Sequence, residues 1–172
     1  MDSDVNITDS AGTRIPMLGV KDSYKYLGLQ FGCEGFQWQP ACEVLTIELR
    51  EISSAPLNAG QRLYIVRYYL IPRLIHVLVL AMAPGQFLVN MDRLVRASAT
   101  SWLGISCHTA LGLIHGGIGS GGLSVPRMAE VVPLLQRDRF QSLKRSTGED
   151  KVLAAVAETK IYKKLVTRSF KL

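Results

Sequence analysis

Hydrophobic and polar positions follow two different periods along this chain. From Ser23 to Phe31, Lys25, Leu27, Leu29 and Phe31 alternate with Tyr24, Tyr26, Gly28 and Gln30, a period of two that predicts a strand. Upstream, Val5-Asn6-Ile7-Thr8 also alternates, Asp9-Ser10-Ala11-Gly12 supplies turn residues, and Arg14 to Met17 starts a return strand whose Pro16 suits an edge. Gly28 has two readings: it admits the close approach of another backbone, or it marks a bend. After Trp38-Gln39-Pro40 the period lengthens, and Val44, Leu45, Leu49 and Ile52 are spaced for a helix that ends before Ser53-Ser54-Ala55-Pro56. A long helix capped by Asn58 is expected to reach about Met82, bend at Pro72 and stop at Pro84-Gly85. Phe87, Leu88, Met91, Leu94, Val95, Ser98 and Trp102 define a third helix, with Arg93 and Arg96 near its other face. Three helices on short connections predict a small bundle. Helical spacing resumes from Arg127 to Leu143, and a last helix from Glu149 carries Lys160, Lys163, Lys164, Arg168 and Lys171. The expected fold class is α+β and mainly helical: an N-terminal β-hairpin piece, a three-helix bundle and further helices.

The long helix is the most informative element. Leu63 to Ala83 is apolar enough to resemble a membrane span, but Arg67, Pro72, Arg73 and His76 interrupt it. A guanidinium at bilayer depth costs roughly 2.5–3.5 kcal/mol, so a span is disfavoured. On a regular helix, at about 100° per residue, Arg62, Tyr69, Arg73 and His76 fall within about 60° of one another. Val66, Leu70, Leu74, Ile75 and Leu78 fill much of the flanking surface. Such a cationic and aromatic ridge can follow successive phosphates while its apolar flanks anchor the helix.

Composition sharpens this picture. A chain of 172 residues with 48% hydrophobic and 20% charged positions reads as globular. Its net charge of +6 hides an asymmetry: residues 1–57 hold four Lys/Arg against eight Asp/Glu, and residues 58–172 hold sixteen against six. The split of −4 and +10 favours a polyanionic partner for the later part, against the plainer reading of a solvated basic surface. Three cysteines, Cys33, Cys42 and Cys107, cannot all pair, and no basic-then-apolar leader follows Met1, so an intracellular, reduced protein is expected.

Several chemistries find no support. Zinc needs tight ligand pairs, whereas Cys33 and Cys42 are nine apart and Cys107-His108 with His115 lacks a second pair. The glycine-rich run Gly116 to Gly122 is followed by Leu123-Ser124 rather than Lys-Ser/Thr, so a tight turn is preferred to a phosphate loop. Two-metal phosphoryl transfer needs paired carboxylates, and Asp2/Asp4 and Glu149-Asp150 stand in no strand-turn context. His76, His108 and His115 have no surroundings that mark a triad.

An ordered set of short motifs carries a family resemblance. Tyr24-Lys25-Tyr26-Leu27-Gly28, Ala55-Pro56-Leu57, Gln61-Arg62-Leu63, Leu70-Ile71-Pro72-Arg73-Leu74, Asp92-Arg93-Leu94-Val95-Arg96, Trp102-Leu103 and Gly121-Gly122-Leu123 follow one another between Tyr24 and Leu143. In this order and spacing they resemble the region after the polymerase active site in reverse transcriptases of site-specific non-LTR retrotransposons. Gly122-Leu123-Ser124-Val125-Pro126 resembles a Gly-Gly-Leu-Gly-Ile-Pro pattern, with Ser124 where that pattern has glycine.

The resemblance implies the end of a palm with its primer-grip hairpin over residues 1–38, a helical thumb over 39–106, and a post-thumb linker with a basic helix over 107–172. It implies a primer grip formed by Tyr24, Lys25, Tyr26, Leu27 and Gly28. Nucleic-acid contacts fall to Gln61, Arg62, Tyr69, Arg73, His76, Arg93 and Arg96. The plain alternatives are that the two tyrosines pack a sheet face and that Arg93 and Arg96 are merely solvated. The implied function is a non-catalytic fragment of an RNA-directed DNA polymerase that grips the primer end and clamps an RNA–DNA or RNA template–primer duplex. The catalytic aspartate pair is expected upstream of Met1, and no cofactor is expected in this chain because the divalent metal belongs with that pair. The remainder of the polymerase is the implied protein partner, no membrane is expected, and the expected location is nuclear. The rival is a host-derived helical module that binds a protein partner through its apolar surface.

Overall fold

The computed structural model describes residues 10, 12, 22–26, 29–32, 35–106 and 111–146. The chain divides into two units, Met1–Gln37 and Trp38–Leu172. It is a mainly helical α+β protein, as the hydrophobic periods predict. The strands expected at residues 5–8 and 14–17, the basic helix expected after Glu149, and Leu27, Gly28, Cys33, Cys107 and His108 lie outside the described residues.

In the first unit β1 (Tyr24–Tyr26), β2 (Leu29–Gly32) and β3 (Gly35–Gln37) form an antiparallel sheet in the order β1-β2-β3. The single strand expected over Ser23–Phe31 is therefore two strands, with Tyr26 opposite Leu29 and Tyr24 opposite Phe31. Only two residues separate the pair, too few to interrupt a period of two, so alternation cannot reveal the reversal. The reversal does change the faces. Residues directly opposite one another share a face, so Tyr24 goes with Phe31 and Lys25 with Gln30, where an unbroken strand would set Lys25 beside Phe31.

The second unit opens with α1 (Pro40–Ser54), where Pro40 occupies the first turn, the place at which a missing N–H costs nothing. Ala41, Leu45, Leu49 and Ile52 line its buried side. Val44 was expected on that side but is exposed, as is Leu94 on the third helix; each stands one step outside the buried stripe.

The long helix starts as the sequence predicts. Asn58 caps it through a reciprocal pair, Gln61 N–H donating to Asn58 Oδ1 at 2.9 Å and Asn58 N–H to Gln61 Oε1 at 3.0 Å. It runs as α2 (Ala59–Ile65), a π-helical turn (Val66–Leu70) and α3 (Ile71–Leu80). The bend expected at Pro72 takes the form of that wide turn, closed by Ile71 N–H bonding to the Val66 carbonyl. A proline lacks the N–H for an ordinary helical bond and its ring crowds the carbonyl four residues back, here that of Tyr68; widening the preceding turn relieves both. The span Ala59–Leu80 is long and apolar enough to cross a membrane by length and composition. Its buried residues, among them Leu63, Val66, Leu70, Ile71, Leu74 and Leu78, join one cluster with Leu45, Leu88, Val95 and Met128.

The third helix, α4 (Gly85–Leu103), ends at Gly104, whose φ of 64° lets its N–H and that of Ile105 turn back onto the last carbonyls. Beyond it, α5 (Leu111–His115), a 3₁₀ turn (Ile118–Ser120) and α6 (Met128–Ser146) complete the described chain. α6 packs against α3 and α4 and brings Met128 and Val132 into the core, so the bundle contains more than the three expected helices.

The glycine-rich run is the tight turn expected of it. Leu123, Ser124 and Val125 fold back on α5, their N–H groups donating to the carbonyls of Leu113, Gly116 and Ile114 at 2.8, 2.8 and 3.0 Å. A Cβ on Gly122 would stand 2.2 Å from the Gly116 oxygen, which explains why this position has no side chain. Ser124 has a φ of 52°, in the left-handed region. Glycine adopts this conformation without steric cost, so Ser124→Gly is expected to raise stability by about 0.5–1 kcal/mol after its greater unfolded-state entropy is deducted. Urea denaturation of the two proteins reads this directly; an unchanged or lower midpoint would contradict it.

Candidate nucleic-acid interface

The residues singled out on the long helix divide where the wide turn lies. A π turn holds one residue more than an α turn, so positions beyond it are carried back by about 100° relative to a regular helix. Arg62 precedes the turn, Tyr69 lies within it, and Arg73 and His76 follow it. The expected four-residue ridge is thereby corrected. Tyr69, Arg73 and His76 remain together at spacings of four and three and are all exposed, whereas Arg62 faces inward.

Arg62 is built into the bundle. Its Nη2 donates to the Ala55 carbonyl at 3.1 Å, its Nε is buried without a hydrogen-bond partner, and its guanidinium carbon lies 6.0 Å from the centre of the Trp102 ring. Trp102 in turn donates through Nε1 to Ser53 Oγ at 2.9 Å. The half-buried group ties the ends of α1, α2 and α4 together through a carbonyl and an indole.

The outer flank also carries three tyrosines and a further arginine. Tyr64, Tyr68 and Tyr69 are 54%, 49% and 64% exposed, large fractions for aromatic side chains. Tyr64 lies 4.6 Å from Tyr68 and 6.1 Å from Tyr69, ring centre to ring centre. The first pair has ordinary helical spacing; the second, five residues apart, is brought together by the wide turn. Arg67 places its guanidinium carbon 4.8 Å from the Tyr68 ring centre, within cation–π range. Tyr64, Arg67 and Tyr68 were missed because they sit in a run that reads as apolar core; the signal that could have found them is tyrosine at 64, 68 and 69 where a core helix places aliphatic residues.

Arg73 sits beyond the tyrosines and pairs with Glu48 of α1 at 2.6 Å, with 58% of its side chain exposed. An exposed pair of this kind contributes at most about 1 kcal/mol, so a phosphate can take the place of the carboxylate. Gln61 is exposed at the start of the helix, its amide oxygen held by the cap. On α4, Arg93 is exposed with Nη1 3.4 Å from Asn90 Oδ1, and Arg96 is half-buried. Tyr24 and Lys25 of β1 are exposed in the other unit. Among the described residues no three His, Cys, Asp or Glu side chains gather to hold a metal ion.

Asp92, the first residue of the Asp92-Arg93-Leu94-Val95-Arg96 motif, is a buried structural residue. Its two oxygens accept the N–H groups of Met128 and Ala129 at 2.8 and 2.9 Å, capping α6 from another helix. Burial pushes its carboxyl above the ordinary range, against the opposing pull of those two amides and of nearby His115 and Arg127. His115 Nδ1 donates to the Val125 carbonyl at 2.8 Å, which makes it part of the α5 turn rather than of a catalytic set.

No family model matches the chain. Among curated proteins it is 33% identical over 132 residues, 77% of its length, to a Retrovirus-related Pol polyprotein from the type-2 retrotransposable element R2DM of Drosophila melanogaster. It is 33% identical over 131 residues to the Pol polyprotein of a type-1 element R2 of Nasonia vitripennis, and 34% identical over 134 residues to one of Popillia japonica. The matched region is 12%, 12% and 22% of these relatives, so the chain spans a small part of their length. The chain belongs with the Pol polyproteins of R2 non-LTR retrotransposons, as the homologue of one segment of them.

Proposed function

We propose that this chain is the segment of an R2-type RNA-directed DNA polymerase that steadies the primer end and clamps the template–primer duplex, without catalysing synthesis by itself. The observation that carries this reading is the exposed aromatic and cationic flank of the Ala59–Leu80 helix, whose other side is fixed in the core. A helix held in this way presents Arg67, Arg73 and His76 to successive phosphates, with affinity that depends on charge and not on base sequence. That independence suits an enzyme that copies any template. Under the same reading Tyr24 to Gly28 form the primer grip, and Gln61, Arg93 and Arg96 are secondary contacts. The divalent metal of such a polymerase resides with its paired carboxylates rather than on this helix.

The test is a fluorescence-anisotropy titration of the 172-residue chain with an RNA–DNA heteroduplex at a series of salt concentrations. Binding at low salt that falls linearly on logarithmic axes as salt rises is expected; absence of binding at low salt would reject the clamp.

Arg62 is expected to affect a different readout. Arg62→Ala removes the hydrogen bond to Ala55 and the contact with Trp102, and should lower stability by about 1–2 kcal/mol. Heteroduplex affinity at temperatures where the variant is folded should stay within about twofold. A stable variant with weakened binding would return Arg62 to the interface.

A further inference from the structure

We propose that Tyr64, Tyr68 and Tyr69, with Arg67, form a stacking platform for unpaired nucleotides adjoining the duplex; this rests on the nucleic-acid reading above and specifies its ligand. Phosphate contacts alone require cations and give no use to three exposed phenol rings. In a paired duplex the faces of the bases are covered by their neighbours, and only edges and backbone are offered to a protein. An exposed ring therefore finds no base face along a paired duplex, whereas a base out of the stack offers one.

The arrangement suits such a base. Tyr64 and Tyr68 touch at 4.6 Å with their planes tilted by 45°, and Tyr69 stands beside them as the most exposed of the three. The guanidinium of Arg67 near Tyr68 adds a flat cation that can both stack and meet a phosphate. Arg73, one turn beyond Tyr69, supplies further positive charge along the track of the backbone. Aromatic rings interleaved with cations are the chemistry by which proteins hold single strands without reading their sequence. The wide turn before Pro72 assembles this patch, because it carries Tyr69 back to Tyr64 while the buried residues stay in the core.

Three probes test the inference with the intact chain: a short oligothymidylate, an abasic oligomer with the same number of phosphates, and a fully paired RNA–DNA heteroduplex. Oligothymidylate is expected to bind about tenfold or more tighter than the abasic oligomer at the same salt. The Tyr64→Ala, Tyr68→Ala and Tyr69→Ala triple variant should lose that difference, its affinity for oligothymidylate falling by a larger factor than its affinity for the heteroduplex. The corresponding triple change to Phe should keep it, because stacking uses the ring and not the hydroxyl. If the heteroduplex binds but oligothymidylate and the abasic oligomer bind equally, the platform is rejected and the duplex clamp survives. If none of the three binds, both fall, and salt-insensitive self-association of the chain would then assign the aromatic flank to a protein partner.

Discussion

Asp92→Ala is expected to lower the stability of the helical unit by about 2–3 kcal/mol. The substitution leaves the Met128 and Ala129 N–H groups, at the buried start of α6, without acceptors. Loss of a capping residue costs about 0.5–2 kcal/mol, and a buried amide without a partner adds about 1–3 kcal/mol, partly offset because a carboxylate no longer has to be desolvated. Asp92→Asn keeps one acceptor oxygen and should cost less. The sign of the pH dependence follows from the raised carboxyl pKa: the folded protein holds this proton more tightly than the unfolded chain, so the contribution is full below the unfolded pKa and is lost as pH rises through the folded one. Urea denaturation of wild type and Asp92→Asn across the acidic range checks both magnitude and sign. Equal midpoints for Asp92→Ala and wild type would mean that α6 does not depend on this cap.

The second large effect concerns binding. Reversing two charges in Arg67→Glu/Arg73→Glu should weaken heteroduplex affinity by about 30-fold or more at low salt, roughly 2 kcal/mol, and should flatten the salt dependence. Both residues lie on the outer flank, and neither contributes to the buried cluster. Among the described residues the ion pair sacrificed is the exposed one with Glu48, so the melting temperature should change little. Unchanged affinity in a folded variant would remove this flank from the interface.

The helices were largely legible in the sequence, and the reason is length. Asn58 with Gln61, Pro84-Gly85 and Gly104 act within a few residues, and fifteen or more residues of periodic burial leave little ambiguity about α1 and α4. What was not legible depends on events a periodic pattern does not encode. The antiparallel pairing of Tyr24–Tyr26 with Leu29–Phe31 changes which side chains share a face. One additional residue in the turn before Pro72 rotates the second half of the long helix, which separates Arg62 from Arg73 and gathers three tyrosines. The partner of Asp92 lies 36 residues away and belongs to tertiary structure alone. The motif Asp92-Arg93-Leu94-Val95-Arg96 thus combines a buried cap, Asp92, and a core residue, Val95, with the exposed Arg93 and the half-buried Arg96.

The same distinction bears on the resemblance between this chain and R2 Pol polyproteins. Gln61-Arg62-Leu63 and Trp102-Leu103 meet in space through Arg62 and Trp102, so two separate motifs describe one packing contact. Gly121-Gly122-Leu123 marks a place where two backbone segments touch. These motifs identify the fold, and the surface proposed for nucleic acid is set by Tyr64, Arg67, Tyr68, Tyr69, Arg73 and His76.

Amide chemical-shift mapping of the chain, titrated with an RNA–DNA heteroduplex at low salt, tests the interface most directly. The account predicts that the largest shifts fall between Tyr64 and His76 on the outer flank of the helix, with Met128 to Val132 of α6 unmoved. Shifts concentrated on α6, or spread evenly with no response from Arg67, Tyr68, Tyr69 and Arg73, would contradict it.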